Sequence, residues 1–264
     1  MARLTTPFSF TGPLSGLSFY TRKDAAGTFV RGQSRISKER MHTDPAFANT
    51  RRSSAEAGGR SQAAKCIRQV LQPLEAVRDH NWQGALTGSL IALQKRDTGS
   101  AYGKRSVRLS QHGHLLEGYP LSRRTPWETL VRPPFSYKVD KEHQIARVEM
   151  PALLEGVTFF PRTTHPYFRL VATLGVVPDL NYAAEGYLPA HRAGKHLPHV
   201  ARTEWLGVKS GAPAAVLELQ LPYSIEFSSY ALVLAVGVLF GSLDEWGAVK
   251  EVGYSGSGRI VGVK

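Results

Sequence analysis

Cysteine and acidic side chains are scarce in this sequence, and long apolar runs are missing. Cys66 is the only cysteine of the 264 residues, which excludes an intramolecular disulfide and a zinc site built on a cysteine pair. The longest apolar run, Tyr230–Leu243, is too short to cross a bilayer as a helix, which takes about 20 residues, and we interpret it as a buried strand. A mean hydropathy of -0.22 excludes a wholly disordered chain and a polytopic membrane protein.

The shortage of acidic residues is confined to one half of the chain. Residues 1–132 hold 21 Lys and Arg against 9 Asp and Glu, whereas residues 133–264 hold 12 of each. A split of this kind favours two units rather than one uniformly basic surface. We therefore predict a basic module over 1–132 and a neutral domain over 133–264, separated at Pro133-Pro134, where two prolines stiffen the backbone and exclude helix.

Residues 17–33 have the pattern of a β-hairpin. Two alternating segments flank Asp24–Gly27, and Gly27 can take the positive φ that closes such a loop. An isolated two-stranded hairpin is marginal in water, so it must lie on its own helices or on another subunit. The candidate assembly strands carry Leu17, Phe19, Tyr20, Phe29 and Val30.

Two helices are predicted after the hairpin. Thr43-Asp44-Pro45 is a helix start signal before Ala46. Farther along, apolar residues at three- and four-residue steps predict a helix from about Ser61 to Arg78. Gly58-Gly59 is expected to break or bend the chain before it, because glycine costs about 1 kcal/mol against alanine in a helix interior. The second helix is predicted over Trp82–Lys95.

Beyond residue 100 the pattern changes to short strands. Segments rich in β-branched and aromatic residues alternate with Pro, Gly, Asn and Asp, which favours an antiparallel sandwich or barrel. The predicted fold is therefore α+β, with an N-terminal β-hairpin and helices followed by an antiparallel β-sandwich-like domain. We expect a long loop over Pro178–Pro198 and a hairpin turn at Gly253–Gly258. The predicted strands are 106–109, 135–140, 144–149, 156–160, 167–174, 203–208, 214–221, 230–240, 248–252 and 259–263.

A group of arginines in the basic module is a candidate binding patch. Phosphate binding needs several such side chains on one face, yet acidic residues lie among these arginines and no nucleic-acid motif accompanies them. Three interpretations stay open: a polyanion site, a site for an acidic protein partner, and a solvated or internally paired surface. The candidates are Arg31, Arg35, Arg51, Arg52 and Arg60.

The residues that could carry catalysis or hold a metal form no convincing set. His191, His196 and His199 lie close together in sequence but lack helical spacing and a neighbouring carboxylate. The pair His112 and His114 also lacks a helical spacing and a neighbouring carboxylate. Cys66 lies beside the apolar stripe of a helix, where cysteine packs as a small core residue, and acidic residues in the second half are scattered singly. We predict no catalytic residue, no metal and no cofactor.

The N-terminal segment resembles a group of uncharacterised proteins from Bacteroidota of similar length. The resemblance rests on Gly16–Tyr20, Val30-Arg31, Ser37–Arg40 and Thr43–Arg51, and is clearest over residues 12–70. It implies a lineage and brings no activity, so it implies no catalytic residue.

These patterns lead to a non-enzymatic structural or assembly protein, a subunit of a homo-oligomer, a filament or a phage-like particle. The N-terminal strands would add to the sheet edge of another copy or of an assembly partner. The alternative is a nucleic-acid-binding protein that uses the basic module, and a third hypothesis is a hydrolase or carbohydrate-binding sandwich that uses the 178–198 loop.

The start of the chain has no secretory signal pattern, so we expect synthesis in the cytoplasm. Whether the protein leaves the cell within a larger particle or extracellular assembly stays open.

Overall fold

The chain folds into two compact units, Met1–Arg51 and Arg52–Lys264. The computed structural model describes residues 2–4, 10–22, 24–32, 36–79, 81–190, 197–225, 227 and 229–264, with 2–4 described by their backbone. The predicted α+β class, an N-terminal hairpin and helices followed by antiparallel sheets, is confirmed. The boundary predicted at residues 132 and 133 lies inside the second unit, because helices before it and strands after it line one hydrophobic core.

The first unit contains a four-stranded antiparallel sheet in the order β1-β4-β3-β2. Its central hairpin, β3 with β4, is the one that the sequence predicts. The sheet has two strands more than the predicted hairpin, because β1 pairs with the outer edge of β4 and β2 with that of β3. Helix α1 follows, and Ser37 caps its N-terminus, because the Ser37 hydroxyl accepts from the Arg40 N–H. The bounds are Ala2–Leu4 for β1, Gly12–Leu14 for β2, Leu17–Arg22 for β3, Ala25–Gly32 for β4 and Lys38–Thr43 for α1.

A long helix leads into the second unit. Asp44 caps a short 3₁₀ turn, Pro45–Phe47, and accepts from the Ala46 N–H, as the start signal predicts. The helices are α2 (Ala48–Val70), α3 (Trp82–Gln94), α4 (Leu109–His112) and α5 (Trp127–Leu130), with 3₁₀ segments Gln72–Val77 and Gly113–Leu116. Among the described residues, none of these helices has the length and apolarity needed to cross a membrane.

Helix α2 runs without interruption through Gly58-Gly59, so the break predicted there is wrong. Its apolar stripe is buried as expected and continues through the 3₁₀ segment to Val77. Gly59 serves a packing role, since a Cβ there would lie 2.5 Å from Cδ1 of Tyr187. The glycine lets an aromatic ring lie directly on the helix backbone.

Three further sheets follow, all antiparallel. The large sheet has the order β10-β7-β13-β14, with β11 also on β7, and a smaller sheet has the order β12-β6-β5. Strands β8 and β9 form a hairpin within the predicted 178–198 loop, of which 191–196 lie outside the described residues. The strands are β5 (Ser136–Asp140), β6 (Ile145–Met150), β7 (Tyr167–Pro178), β8 (Leu180–Ala183), β9 (Gly186–Pro189), β10 (His199–Arg202), β11 (Leu206–Gly207), β12 (Ala215–Gln220), β13 (Tyr230–Leu243) and β14 (Val249–Val263).

The large sheet is the middle of three layers. On β13, Val233 and Leu239 belong to the core shared with α2 and α3, whereas the alternate residues Leu232 and Phe240 belong to the core shared with the small sheet. Because both faces are covered, the strand is apolar at nearly every position. This explains the Tyr230–Leu243 run, which is a buried strand as predicted.

The glycine-rich segment near the C-terminus is part of a strand and not the predicted turn. Residues 249–263 form one continuous strand, and a Cβ on Gly256 would lie 2.1 Å from the Val238 carbonyl oxygen. Gly256 also has φ of 107°, a conformation that L side chains rarely adopt. Gly256 therefore allows β14 to lie close to β13 beside the register shift between Leu239 and Gly241. The segments predicted as strands at 106–109 and 156–160 are not strands: they contribute isolated bridges at Val107 and Phe159, and Leu109 begins α4.

Candidate functional site

The N-terminal sheet presents two chemically different faces. Residues paired directly across antiparallel strands share a face; Phe19 pairs with Val30, and Tyr20 pairs with Phe29. The sequence alternation already indicated that Phe19 and Tyr20 lie on opposite sides. We define the apolar face as Leu14, Leu17, Phe19 and Val30, and the cationic face as Tyr20, Arg22, Phe29 and Arg31.

The apolar face is largely exposed. Leu14 and Leu17 pair directly across β2 and β3, and their exposed fractions are 56% and 42%. Phe19 is buried, and the ring of Phe10 lies on it at a centroid distance of 4.3 Å. Among the described residues of the first unit, Phe19 is the only buried hydrophobic side chain. Among its described side chains, the sheet therefore exposes more large apolar groups than it buries.

The cationic face is a ladder of arginines and aromatic rings. The Tyr20 and Phe29 rings lie 6.0 Å apart, with Arg31 5.3 Å from the Tyr20 centroid and Arg22 5.4 Å from the Phe29 centroid. Arg22 also forms an ion pair with Asp24 in the hairpin loop. The hydrogen bond from Arg22 holds the pKa of Asp24 below its usual range, so this carboxylate stays ionised and fixes one end of the ladder.

Two of the predicted patch arginines are used within the fold. The Arg51 guanidinium donates to the carbonyl oxygens of Met41 and Asp44, both at 2.9 Å, and so closes the corner between α1 and α2. Arg60 donates to Gln94 Oε1 at 2.6 Å and lies 3.9 Å from the Glu56 carboxylate. For this pair the contacts favour the third interpretation, an internally paired surface, because Nη1 of each arginine donates to a protein acceptor.

The other three patch residues differ in position. Arg31 is exposed and belongs to the cationic face. Arg52 is exposed on α2. A Cβ added at Gly103 would lie 2.8 Å from the Arg52 Cβ. Arg35 lies outside the described residues.

Arg60 is part of a buried polar network centred on Glu56. The Glu56 carboxylate accepts from Arg105 Nε and Nη2, each at 2.7 Å, and from the Gly103 N–H at 2.9 Å. Burial alone would raise the pKa of Glu56, but the hydrogen bonds from Arg105 and Gly103 outweigh it and lower the pKa. This carboxylate is therefore ionised and fully engaged, which suits a structural role.

Tyr187 completes the network from the β8–β9 hairpin. Its hydroxyl donates to the Arg105 carbonyl oxygen at 2.8 Å and accepts from Gln94 Nε2 at 3.1 Å. Burial raises the pKa of Tyr187 to about 12, so the hydroxyl remains protonated and keeps donating. The network thus ties α2, α3 and the β8–β9 hairpin together.

The other residues considered for catalysis or metal binding are also dispersed. No group of three or more His, Cys, Asp or Glu suited to a metal is present in the described part of the chain. His199 Nδ1 accepts from the Gln220 N–H at 3.0 Å, while His191 and His196 lie outside the described residues. Burial raises the pKa of Cys66, which disfavours the reactive thiolate.

Sequence reasoning missed three residues that belong to the two faces. Leu14 and Phe10 extend the apolar face, and Arg22 ends the ladder on the cationic face. The two-residue spacing of Tyr20 and Arg22 in β3 could have placed Arg22 on the cationic face. For the leucine, the signal was weak, because Gly12 and Pro13 obscure the short strand β2.

Comparison with known proteins adds no relative. No family model, no curated protein and no solved structure matches the chain. The likeness to the Bacteroidota group therefore stays a prediction.

Proposed function

We propose that the protein is a non-enzymatic structural subunit of a homo-oligomer, and that the apolar face of the N-terminal sheet is its contact surface. The observation that carries this proposal is the exposure of Leu14 and Leu17 in a unit that buries only Phe19 among its described hydrophobic residues. Contiguous exposed apolar side chains on a sheet mark interaction surfaces.

The energetic argument compares burial with chain ordering. Burying one large apolar side chain contributes about 1.5–3 kcal/mol, whereas fixing the backbone of each residue costs about 1–2 kcal/mol. Phe19, the one buried hydrophobic side chain among the described residues of Met1–Arg51, is therefore too little to order those residues by itself. A second copy that covered the leucines would supply the missing burial.

The proposed contact uses side chains and not strand edges. The outer edges of the central hairpin already pair with β1 and β2. The proposed contact therefore does not depend on strand pairing between copies at those two edges. A side-chain contact between two sheet faces is compatible with a closed oligomer, a filament or a phage-like particle.

The test is the solution mass of the full chain by size-exclusion chromatography with light scattering, across a concentration series up to high micromolar. We expect a mass above 29.0 kDa that increases with concentration or reaches a fixed multiple. A monomer at every concentration would overturn the proposal. Negative-stain microscopy of the same fractions separates closed particles from filaments.

A second candidate is single-stranded nucleic-acid binding by the cationic face. Tyr20 and Phe29 lie next to Arg22 and Arg31 on one side of the sheet, and nucleic-acid-binding sheets combine such aromatic rings and cations to hold bases and phosphates. The Arg22–Asp24 pair is exposed and therefore weak, so a phosphate can replace Asp24. The cationic face thus supports nucleic-acid binding better than the α2 arginines do, because Arg51 and Arg60 donate to protein groups at part-buried sites. The test is fluorescence anisotropy with a labelled oligo-dT, in which no binding at low salt excludes this candidate.

A further inference from the structure

A polar pocket lies in the second unit where α3 ends, between the segment that follows it and α4. Its volume is about 330 Å³, at the lower end of the range for small-molecule sites. Segment 95–108, which forms much of its wall, carries five basic residues and one acidic residue. The side chains that matter for binding are Arg96, Thr98, Ser100, Arg108, Gln111 and His112.

The two arginines of this pocket are not bonded to other side chains of the fold. Among the described residues, neither Arg96 nor Arg108 forms an ion pair or a side-chain hydrogen bond. This distinguishes them from Arg105 in the same segment, whose guanidinium holds Glu56. Two guanidinium groups thus line one cavity without a hydrogen-bonded protein acceptor.

The one acidic residue of the pocket is already engaged by the backbone. Asp97 Oδ1 accepts from the N–H groups of Gly99 and Ser100, both at 3.2 Å, and Oδ2 accepts from the Ser106 N–H at 2.7 Å. Burial alone would raise the pKa of Asp97, but the hydrogen bonds from the Ser106 N–H and from the Ser100 hydroxyl and N–H, together with the nearby charge of Arg108, outweigh it and lower the pKa. Asp97 therefore shapes the loop and leaves the hydrogen-bonding groups of both arginines available to a ligand.

The arginines are held on a fixed frame. Arg96 follows the last turn of α3, and its N–H donates to the Leu93 carbonyl oxygen at 3.0 Å. Arg108 lies between Val107, which exchanges backbone hydrogen bonds of 2.8 and 2.9 Å with Leu180, and Ser110, whose N–H and hydroxyl both donate to Asp179. The backbone on both sides of the pocket is therefore fixed, and ligand binding has to order only the side chains of the two arginines.

We propose that this pocket binds the phosphate group of a small phosphomonoester. Guanidinium groups match phosphate oxygens through paired hydrogen bonds, and the Thr98 hydroxyl supplies a further donor. The volume accommodates a small molecule, which favours a free phosphorylated ligand over a nucleic-acid strand. This site does not depend on the assembly proposal, because it uses no residue of the N-terminal unit.

The test is isothermal titration calorimetry of the full chain with inorganic phosphate, with sodium chloride adjusted to constant ionic strength. We expect saturable binding, weakened about tenfold or more by Arg108→Gln, since one charged hydrogen bond supplies a large fraction of the affinity for a small anion. Arg96→Gln, at an exposed position that tolerates replacement, should weaken binding to a similar degree. Arg124→Gln removes an exposed arginine outside the pocket and should leave the affinity unchanged.

Three results would overturn the proposal. One is the absence of saturable heat with the unmodified chain. Another is equal weakening by Arg124→Gln and Arg96→Gln, which would indicate a general charge effect. The third is displacement of phosphate by oligo-dT, which would assign the pocket to a nucleic-acid backbone rather than to a small ligand.

Discussion

Arg105 holds the buried carboxylate of Glu56 through two hydrogen bonds, each 2.7 Å long. One partner lies on helix α2 and the other in the segment after α3, so the pair fixes that segment to the helix. Removing one partner from a buried ion pair leaves the other charge unsatisfied, which is more costly than breaking an exposed pair.

Replacing Glu56 should therefore cost far more stability than replacing an exposed glutamate. We expect Glu56→Gln to lower the free energy of unfolding by about 2–4 kcal/mol, measured by urea denaturation. The matched control is Glu128→Gln, which removes a 2.7 Å pair with Arg259 at a glutamate that is 71% exposed and should cost less than about 1 kcal/mol. Equal costs for the two variants would contradict the structural role of Glu56.

The same carboxylate predicts a pH dependence. Because the pKa of Glu56 is lower in the folded state, its contribution is present above the unfolded value of about 4.3 and is lost as pH falls through the folded pKa. Urea denaturation between pH 7 and pH 3 should show a smaller decrease in stability for Glu56→Gln than for the unmodified chain. Parallel curves for the two proteins would exclude this contribution.

The two adjacent glycines of α2 should respond oppositely to alanine. A Cβ at Gly58 meets nothing within 4 Å, whereas one at Gly59 would lie 2.5 Å from the Tyr187 ring. We expect Gly58→Ala to stabilise the protein by about 0.5–1 kcal/mol through helix propensity and Gly59→Ala to destabilise it by about 1–3 kcal/mol through overpacking. Thermal denaturation checks both, and a stabilising Gly59→Ala would show that Tyr187 does not pack as described.

These glycines also show what the sequence can and cannot predict. Local patterns were sufficient for the Asp44 cap, for the stripe of α2 and for the Tyr230–Leu243 strand, because periodicity and capping depend on near neighbours. The need for Gly59 depends on Tyr187, and the need for Gly256 depends on Val238. Contacts between residues so distant in sequence leave no local signal.

For the candidate site, too, the sequence predicted local features and missed contacts between distant residues. Alternation separated Phe19 from Tyr20 correctly, since this needs only the two-residue period of a strand. It could not predict that β1 and β2 complete the sheet, nor that Arg60 bonds to Gln94 while Arg96 and Arg108 line a pocket. The partner of a long charged side chain is set by tertiary packing, so a count of arginines does not identify a binding surface.

If the cationic face binds nucleic acid, the salt dependence of binding should decrease when its two arginines are replaced. Removing one arginine that neutralises a phosphate of a single strand reduces the slope of log K against log salt by about 0.7. Arg22→Gln with Arg31→Gln should therefore make the slope shallower by about 1.4. The control is Arg123→Gln with Arg124→Gln, two exposed arginines of the second unit. A slope that changes only in the control variant would place the binding surface elsewhere.

Polar substitutions on the apolar face should weaken self-association. We expect Leu14→Ser with Leu17→Ser to shift the association midpoint to at least about tenfold higher protein concentration, because two buried leucines contribute about 1.5–3 kcal/mol each. Val216→Ser, at a 50% exposed position on β12, is the control and should leave the midpoint unchanged. Sedimentation velocity measures both, and an unchanged midpoint in the double variant would rule out this face as the contact.

The most direct measurement is the accessibility of position 17 as a function of protein concentration. Leu17→Cys in a Cys66→Ala background provides one thiol on the apolar face, and Val216→Cys in the same background provides one on the outer face of β12. If another copy covers the apolar face, maleimide labelling at position 17 should slow as concentration rises, while labelling at position 216 stays constant. Labelling at position 17 that proceeds at one rate from low to high micromolar concentration would contradict the account.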